Sequence, residues 1–317
     1  MKNKGLFPLV RFLLAAVLSM RAFAVAAAPG RAEKIRAKLD GKDRNYVFVV
    51  MHRGDWRNAP ENSVDAILGS IEKGADIVEL DVAKTKDGEY VLVHDDNIER
   101  ISNGKGKVKD LTLEEIRRFR LKGIDGKTIT GYKILTLAEA FELTRGKILV
   151  NLDKFFRDPK GIAEFVKKHD MEKEVIVKGA FRPDDLKKKM GPSYKAIADG
   201  SLFYMPIVSI NRPNAMKVFN VWQNVPNPPG AYELCFKNES PVEVLDRLKA
   251  GQADGAPRIW INTLWDSLCA GHTDARGYKG DPDGSWGWCL EQGATIIQTD
   301  RPVELIKYLE KKGRRNL

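Results

Sequence analysis

Apolar residues recur along this chain in two alternating rhythms. Short β-branched runs closing on polar residues read as strands: residues 45–54 (NYVFVVMHRG), 75–84 (ADIVELDVAK), 89–96 (EYVLVHDD), 147–155 (KILVNLDKF), 174–181, 202–210, 231–236 (AYELCF), 257–265 (PRIWINTLW) and 294–300 (ATIIQTD). Between most of them the apolar spacing widens to the helical period, as in residues 61–74, 135–146, 159–170, 241–252 and 301–312. Gly74 closes the first of these stretches, where a helix C-terminus favours glycine. Such alternation at this length predicts an α/β fold, either a closed parallel barrel or an open doubly wound sheet.

The polar residues decide between the two. His52-Arg53, Glu79 and Asp81, His94-Asp95, Asn151 and Asp153, Lys178, Asn262 and Thr299-Asp300 all fall at or near strand ends. So many ends converge at the C-terminal mouth of a (β/α)8 barrel, whereas an open sheet gathers only a few at its switch point. The expected fold is therefore a (β/α)8 TIM-type barrel over residues 45–312. The pattern offers one strand too many and does not say which. Residues 95–135 break the alternation, being polar and glycine-rich with one short helix, TLEEIRRF, capped by Asp110 or by Thr112 with Glu115. They read as a small insertion over the mouth after the third strand.

Residues 1–28 stand apart. Lys2 and Lys4 precede a short apolar run bracketed by Arg11 and Arg21, with small residues around Ala24 and Ala28 suited to cleavage. This predicts a signal peptide and an exported protein, periplasmic or secreted; an uncleaved anchor or a misplaced start is the alternative. A net charge of +10 favours anionic partners, including weak association with a membrane surface, but no basic stripe with interleaved aromatics suggests nucleic acid. The three cysteines form no framework. Cys269 and Cys289 bridge around a glycine-rich segment, or all three thiols are free.

Glu79 and Asp81 carry the chemistry. Positions i and i+2 of a strand share one face, so these carboxylates lie side by side and repel. With Asp153 they offer only oxygen donors, which suits a hard divalent cation, Mg²⁺ or Ca²⁺. Pairing with Arg53 and Lys178 is the structural alternative. Two of the four histidines, His52 and His94, flank the cluster as a candidate acid and base. Arg53 brings a planar fork of donors suited to phosphate.

HRGDWRNAPENS (residues 52–63) and GADIVELDVAKTKDGEYVLVHDD (residues 74–96) resemble the two leading motifs of the glycerophosphodiester phosphodiesterase family. The stretch from Ile98 to Leu121 is similar to that family's insertion, and GATIIQTDRPVELIKYL to its closing strand and helix. The resemblance implies metal-dependent hydrolysis of a small glycerophosphodiester to an alcohol and glycerol 3-phosphate. His52 and His94 match the acid/base histidines, Glu79 and Asp81 the metal carboxylates, and Arg53 the phosphate arginine. Glu61 matches a residue lining the site, taken as a further metal ligand. At the fourth strand the family has Glu-x-Lys, whereas NLDKF places Asp153 for the glutamate and Lys154 one position early. That displacement turns Lys154 to the other face, so it receives no role. Lys178, Trp260 and Asn262 are expected on the substrate side, with core packing the alternative for Trp260. Trp265 belongs to a loop on the mouth side, and His272 and His169 read as exposed. A phospholipase acting on intact lipids, or a non-catalytic binding barrel, are the competing readings.

Overall fold

The computed structural model describes residues 30–240, 242–252 and 255–315. The expected export segment, residues 1–28, lies outside the described residues.

Nine strands form one sheet: β1 (Phe48–Met51), β2 (Ile77–Lys84), β3 (Tyr90–Leu92), β4 (Leu149–Asp153), β5 (Val175–Gly179), β6 (Phe203–Ser209), β7 (Ala231–Cys235), β8 (Arg258–Asn262) and β9 (Ala294–Thr299). Eight run parallel in the order β1-β9-β8-β7-β6-β5-β4-β2, and β1 pairs back onto β2, closing a barrel. The surplus strand is β3, which turns back antiparallel on β2, Val82 facing Leu92 and Lys84 facing Tyr90. AYELCF is a full barrel strand. His94 therefore follows a short ribbon rather than a barrel strand.

Alternation along each strand sorts the side chains. Val49, Met51, Val78, Leu80, Val150, Leu152, Val177, Leu234 and Ile261 face outward into the core shared with the helices. Their neighbours face the lumen. Its floor is Phe48, Val50, Ile77, Leu149, Ile176, Met205, Ala231, Trp260 and Ile296. Helix α1 (Arg31–Asp40) plugs this floor from below with Ala32, Ile35 and Leu39. Two residues further along the same strands stand Glu79, Asn151, Lys178, Glu233, Asn262 and Gln298, all buried. At the mouth come His52, Asp81, Asp153 and Asp300. The sequence thus stacks an apolar floor, a buried polar layer and an ionisable rim.

The segment after β3 folds on its own small core of Val93, Ile98, Ile101, Val108, Ile116, Leu121 and Ile134, set against Ala83 and Val91. Its short helix, Leu113–Ile116, has a full capping box from Thr112 and Glu115, so Thr112 and not Asp110 is the cap. Among the described residues no helix is long and apolar enough to cross a membrane.

Candidate active site

Register builds the carboxylate cluster. Asp81 on β2 lies directly across from Asp153 on β4, and Glu79 sits across from Asn151, one pleat deeper on the same face. One oxygen from each of Glu79, Asp81 and Asp153 lies within 4.8 Å of the others. Burial, with Asp81 and Asp153 beside it, pushes the Glu79 carboxyl well above the usual range. Burial acts on Asp153 in the same direction, but Lys178 and Lys154 outweigh it and hold Asp153 at about 2. Three crowded oxygen donors with one carboxyl resisting ionisation fit a divalent cation.

The first strand ends in a forced turn. Arg53 and Gly54 both take left-handed backbone, φ 52° and 72°. A Cβ at Gly54 would sit 2.8 Å from the Ala66 carbonyl, so only glycine fits. The turn aims the Arg53 N–H at Glu79 Oε2, 2.8 Å away. It also brings the Arg53 side chain to the mouth, with Nε 3.5 Å from Asp81 Oδ2 and Nη1 3.3 Å from Glu61 Oε2. Asn62, also left-handed, secures Asp81 from both sides. Its amide nitrogen donates to Asp81 Oδ2, and its amide oxygen accepts from the Asp81 N–H.

Each histidine is held by a carboxylate through Nδ1. His52 Nδ1 is 2.9 Å from Asp300 Oδ1, at the end of β9, and Trp56 Nε1 donates to the same oxygen at 2.6 Å. His94 Nδ1 is 2.7 Å from Asp95 Oδ1. A carboxylate at Nδ1 favours the Nδ1–H tautomer, which leaves Nε2 as the acceptor a proton shuttle requires; in His94 that nitrogen lies 3.2 Å from Lys154 Nζ. Asp300 is itself placed by Asp274, a buried carboxyl raised to about 6 by desolvation against four hydrogen bonds. It accepts from Thr263, Thr299, Trp286 and the Asp300 N–H.

Several sequence expectations change here. Glu61 is not one of the clustered carboxylates. Arg100 takes both its oxygens at 2.7 and 2.8 Å, and Arg53 leans on them too, holding Glu61 below its ordinary value against burial. Lys178, Trp260 and Asn262 do not line an open substrate surface. Trp260 is fully buried and belongs to the floor; its indole N–H donates to Asn262, and Asn262 donates to Glu233. Glu233 in turn pairs with Lys178 Nζ at 2.8 Å. Despite burial, Glu233, Asp153 and Glu79 keep Lys178 charged. These residues form a buried strut under the carboxylates, because they stand one or two pleats below the rim.

Lys154 departs in the opposite sense. The backbone turns left-handed there, φ 64°, and undoes the register slip. Its Nζ reaches the mouth, 3.2 Å from both His94 Nε2 and Asp153 Oδ2. His272 is buried rather than exposed, stacked on Trp288 and bonded to Glu239 and the Gly284 carbonyl. His169 packs half-buried against Phe165 and Phe141. Trp265 does stand at the mouth, its ring 6.0 Å from that of His52. All three cysteines are free thiols. Asp95, Asp300, Asn62 and Arg100 had no assigned role in the sequence. Asp95 and Asp300, both among the polar residues at strand ends, carried a positional hint; Asn62 and Arg100 carried none.

Comparison with known proteins agrees with this geometry. Residues 52–191 match the model of the glycerophosphoryl diester phosphodiesterase family, and that range holds His52, Arg53, Glu79, Asp81, His94 and Asp153. Residues 204–309, the second half of the barrel, match a model described as a domain of unknown function. A glycerophosphodiester phosphodiesterase of Caldanaerobacter subterraneus is 39% identical over 157 residues, 47% of this chain and 64% of that relative. The chain thus spans less than two thirds of that curated relative's length. Among solved structures, a glycerophosphoryl diester phosphodiesterase from Parabacteroides distasonis superposes with a TM-score of 0.68 at 24% identity, covering 89% of this chain and 92% of that one. An Oleispira antarctica phosphodiesterase, solved with the product sn-glycerol-3-phosphate, gives 0.59 at 18% identity, covering 84% and 97%. These structural likenesses bear on the fold, while the matched motifs bear on descent. The first half of the barrel thus matches the glycerophosphoryl diester phosphodiesterase family, and the barrel as a whole shares the fold of solved structures from that family.

Proposed function

We propose that this protein hydrolyses glycerophosphodiesters to an alcohol and glycerol 3-phosphate, with a divalent cation held by Glu79, Asp81 and Asp153. The observation that carries the reading is the clustered carboxylates standing with two histidines, each backed through Nδ1 by its own aspartate. The name of the Caldanaerobacter relative and the product bound by the Oleispira neighbour support the substrate class. A bound cation would supply Lewis-acid polarisation of the phosphoryl oxygens.

The chain's own residues do the rest. Arg53 offers its guanidinium to the phosphate charge from the forced turn after β1. One imidazole takes the proton of the attacking hydroxyl at Nε2, and the other returns a proton to the departing alkoxide. Asp300 and Asp95 stabilise whichever ring is cationic. The attacking hydroxyl is water or the glycerol hydroxyl next to the phosphate. Lys154, beside His94 Nε2, adds positive charge where charge develops on the phosphate.

A product screen tests the reading. Glycerophosphocholine, glycerophosphoethanolamine, glycerophosphoinositol and intact phospholipids are each incubated with the protein, with Ca²⁺, with Mg²⁺ and with chelator. Glycerol 3-phosphate released only with cation supports it; undiminished release after exhaustive chelation removes the metal. His52→Ala and His94→Ala should each lose about two to four powers of ten in kcat. A rate within threefold of wild type for either overturns the acid/base assignment. Exposed Phe156 and Trp265 at the mouth favour a second reading, action on intact lipid, which the same screen detects. Export, with cleavage near Ala24 or Ala28, rests on the apolar run between Arg11 and Arg21. N-terminal sequencing of the native protein tests it.

A further inference from the structure

An unbroken line of charge-assisted contacts joins the phosphate arginine to one of the two histidines, and it passes through the insertion. Arg53 Nη1 leans on Glu61 at 3.3 Å. Both Glu61 oxygens are taken by Arg100, from Nη1 at 2.7 Å and Nη2 at 2.8 Å. Arg100 Nε donates to Asp95 Oδ2 at 2.6 Å, and the other Asp95 oxygen holds His94 Nδ1 at 2.7 Å. Glu61 belongs to the loop after β1, Asp95 to the exit of β3, and Arg100 to the insertion.

We propose that Arg100 is a positioning residue that sets His94 against the rest of the site. The claim rests on the reading of His94 as an acid/base group, and it adds a residue that touches no reacting atom. The physical need is plain. His52 stands at the end of a barrel strand and is fixed by the closed ladder. His94 follows β3, a three-residue antiparallel ribbon outside the barrel, so the ladder does not fix it. Its ring is placed by Asp95 on one side and Lys154 on the other, with Arg157 on its carbonyl oxygen. Asp95 has rotational freedom of its own unless its second oxygen is pinned. Arg100 pins it, and the planar fork at the other end anchors that pin to the barrel through Glu61. Burial raises the Asp95 carboxyl, but Arg100 first and His94 next bring it to about 2, so it stays an acceptor throughout.

A lysine cannot replace this span, because a point charge has no second end to hold Glu61. Nor is the arrangement explained by stability. The Arg100 side chain is 47% exposed, and ion pairs that open to water add little to folding.

The test uses the full-length protein with Arg100→Ala, Arg100→Lys and Asp95→Asn, alone and combined. Misplacing a catalytic ring by about an ångström costs on the order of a hundredfold. Arg100→Ala should therefore lose roughly ten- to a hundredfold in kcat with its melting temperature within about 2 °C of wild type. Arg100→Lys should recover little. Adding Asp95→Asn to Arg100→Ala should cost little more than the worse single change, because both act through one ring. A cavity of about 160 Å³, lined by Trp56, Glu61, Arg100, Leu121 and Ile124, adjoins the side chain. Guanidinium ion can enter it, so millimolar guanidinium should restore part of the lost rate in Arg100→Ala but none in Asp95→Asn. A second readout needs no substrate. The chain has four histidines, so ¹⁵N-histidine NMR resolves them. Arg100→Ala should broaden or shift the His94 Nδ1–H signal and leave that of His52 in place. Unchanged His94 signals with kcat within threefold overturn the proposal. So does a rate loss that guanidinium leaves untouched while the melting temperature falls by many degrees. If the wild-type protein turns over no phosphodiester, the functional reading fails, and the NMR comparison still decides the role of Arg100.

Discussion

Left-handed backbone at two positions gives the site a geometry that its side-chain types alone do not dictate. At Arg53 it turns a peptide N–H onto Glu79, and at Lys154 it returns a displaced lysine to the mouth. Each such residue costs about 1 kcal/mol or more relative to ordinary backbone, a strain that functional sites tolerate. The sequence showed Glu79 and Asp81 plainly, because a spacing of two on a strand fixes their shared face. It hid the role of Asp300, because the contact to His52 spans 248 positions and no local pattern reports such a pairing. Asp300→Asn should leave His52 without a fixed tautomer. By analogy with other His-carboxylate pairs, kcat should drop by about two to four powers of ten. Cation affinity, measured by calorimetry, should stay near wild type, since Asp300 is not among the clustered carboxylates. A matching loss of cation binding would place Asp300 in the metal site instead. Gly54→Ala sets a Cβ against the Ala66 carbonyl with φ at 72°, and should destabilise the fold by roughly 1–3 kcal/mol in denaturant unfolding.

Among the elements, β3 is the one whose role the hydrophobic pattern misreads. A ribbon strand with one buried face has the same apolar run as a short barrel strand, so nine candidates competed for eight places. The discriminating signal was the turn. Asp87-Gly88, with Gly88 at φ 90°, closes a hairpin between β2 and β3, and an Asp-Gly pair between two apolar runs marks an antiparallel reversal. The insertion that follows was legible as a departure from alternation, and its capping box was legible to the residue. Its attachment to the mouth was not, because that depends on Arg100 reaching Glu61 and Asp95 across the fold. The attachment has a pH signature. Asp95 sits at about 2, below the ordinary aspartate near 3.9. A carboxyl depressed on folding contributes stability that is present above about pH 4 and is lost as pH falls through 4 toward 2. The contact opens to water and adds little to global stability, so the effect is local and small: hydrogen exchange in residues 97–122 should accelerate modestly relative to the barrel strands over that window. Equal acceleration of insertion and barrel would show that the whole fold, and not this contact, is giving way.

Across the whole molecule, the lumen sets a buried layer of charge on an apolar floor, and the balance of that charge governs stability. Glu79, Asp81, Asp153 and Glu233 face Lys178, Arg53 and Lys154, and the imbalance shows in Glu79, whose carboxyl is raised by burial and by its two acidic neighbours. A group whose folded pKa is raised favours the folded state most below its unfolded pKa. That advantage is lost as pH rises through the folded value. Without cation, then, the protein should lose stability as pH climbs through the range where Glu79 ionises. A divalent cation that binds the folded carboxylates and not the unfolded chain should oppose this loss. At a hundredfold excess over its Kd it stabilises by about 2.7 kcal/mol, which raises Tm by on the order of 5 °C for a chain of this size. Calorimetry at several pH values with Ca²⁺, with Mg²⁺ and with chelator measures both effects. The cation should raise Tm and flatten its dependence on pH. In Glu79→Gln the repulsion is gone, so the cation-free Tm should be less sensitive to pH and the cation-induced rise should largely vanish. Identical melting curves with and without millimolar cation, in wild type as in Glu79→Gln, would mean that Lys178 and Arg53 already neutralise the cluster, and the cation would have no place in the lumen.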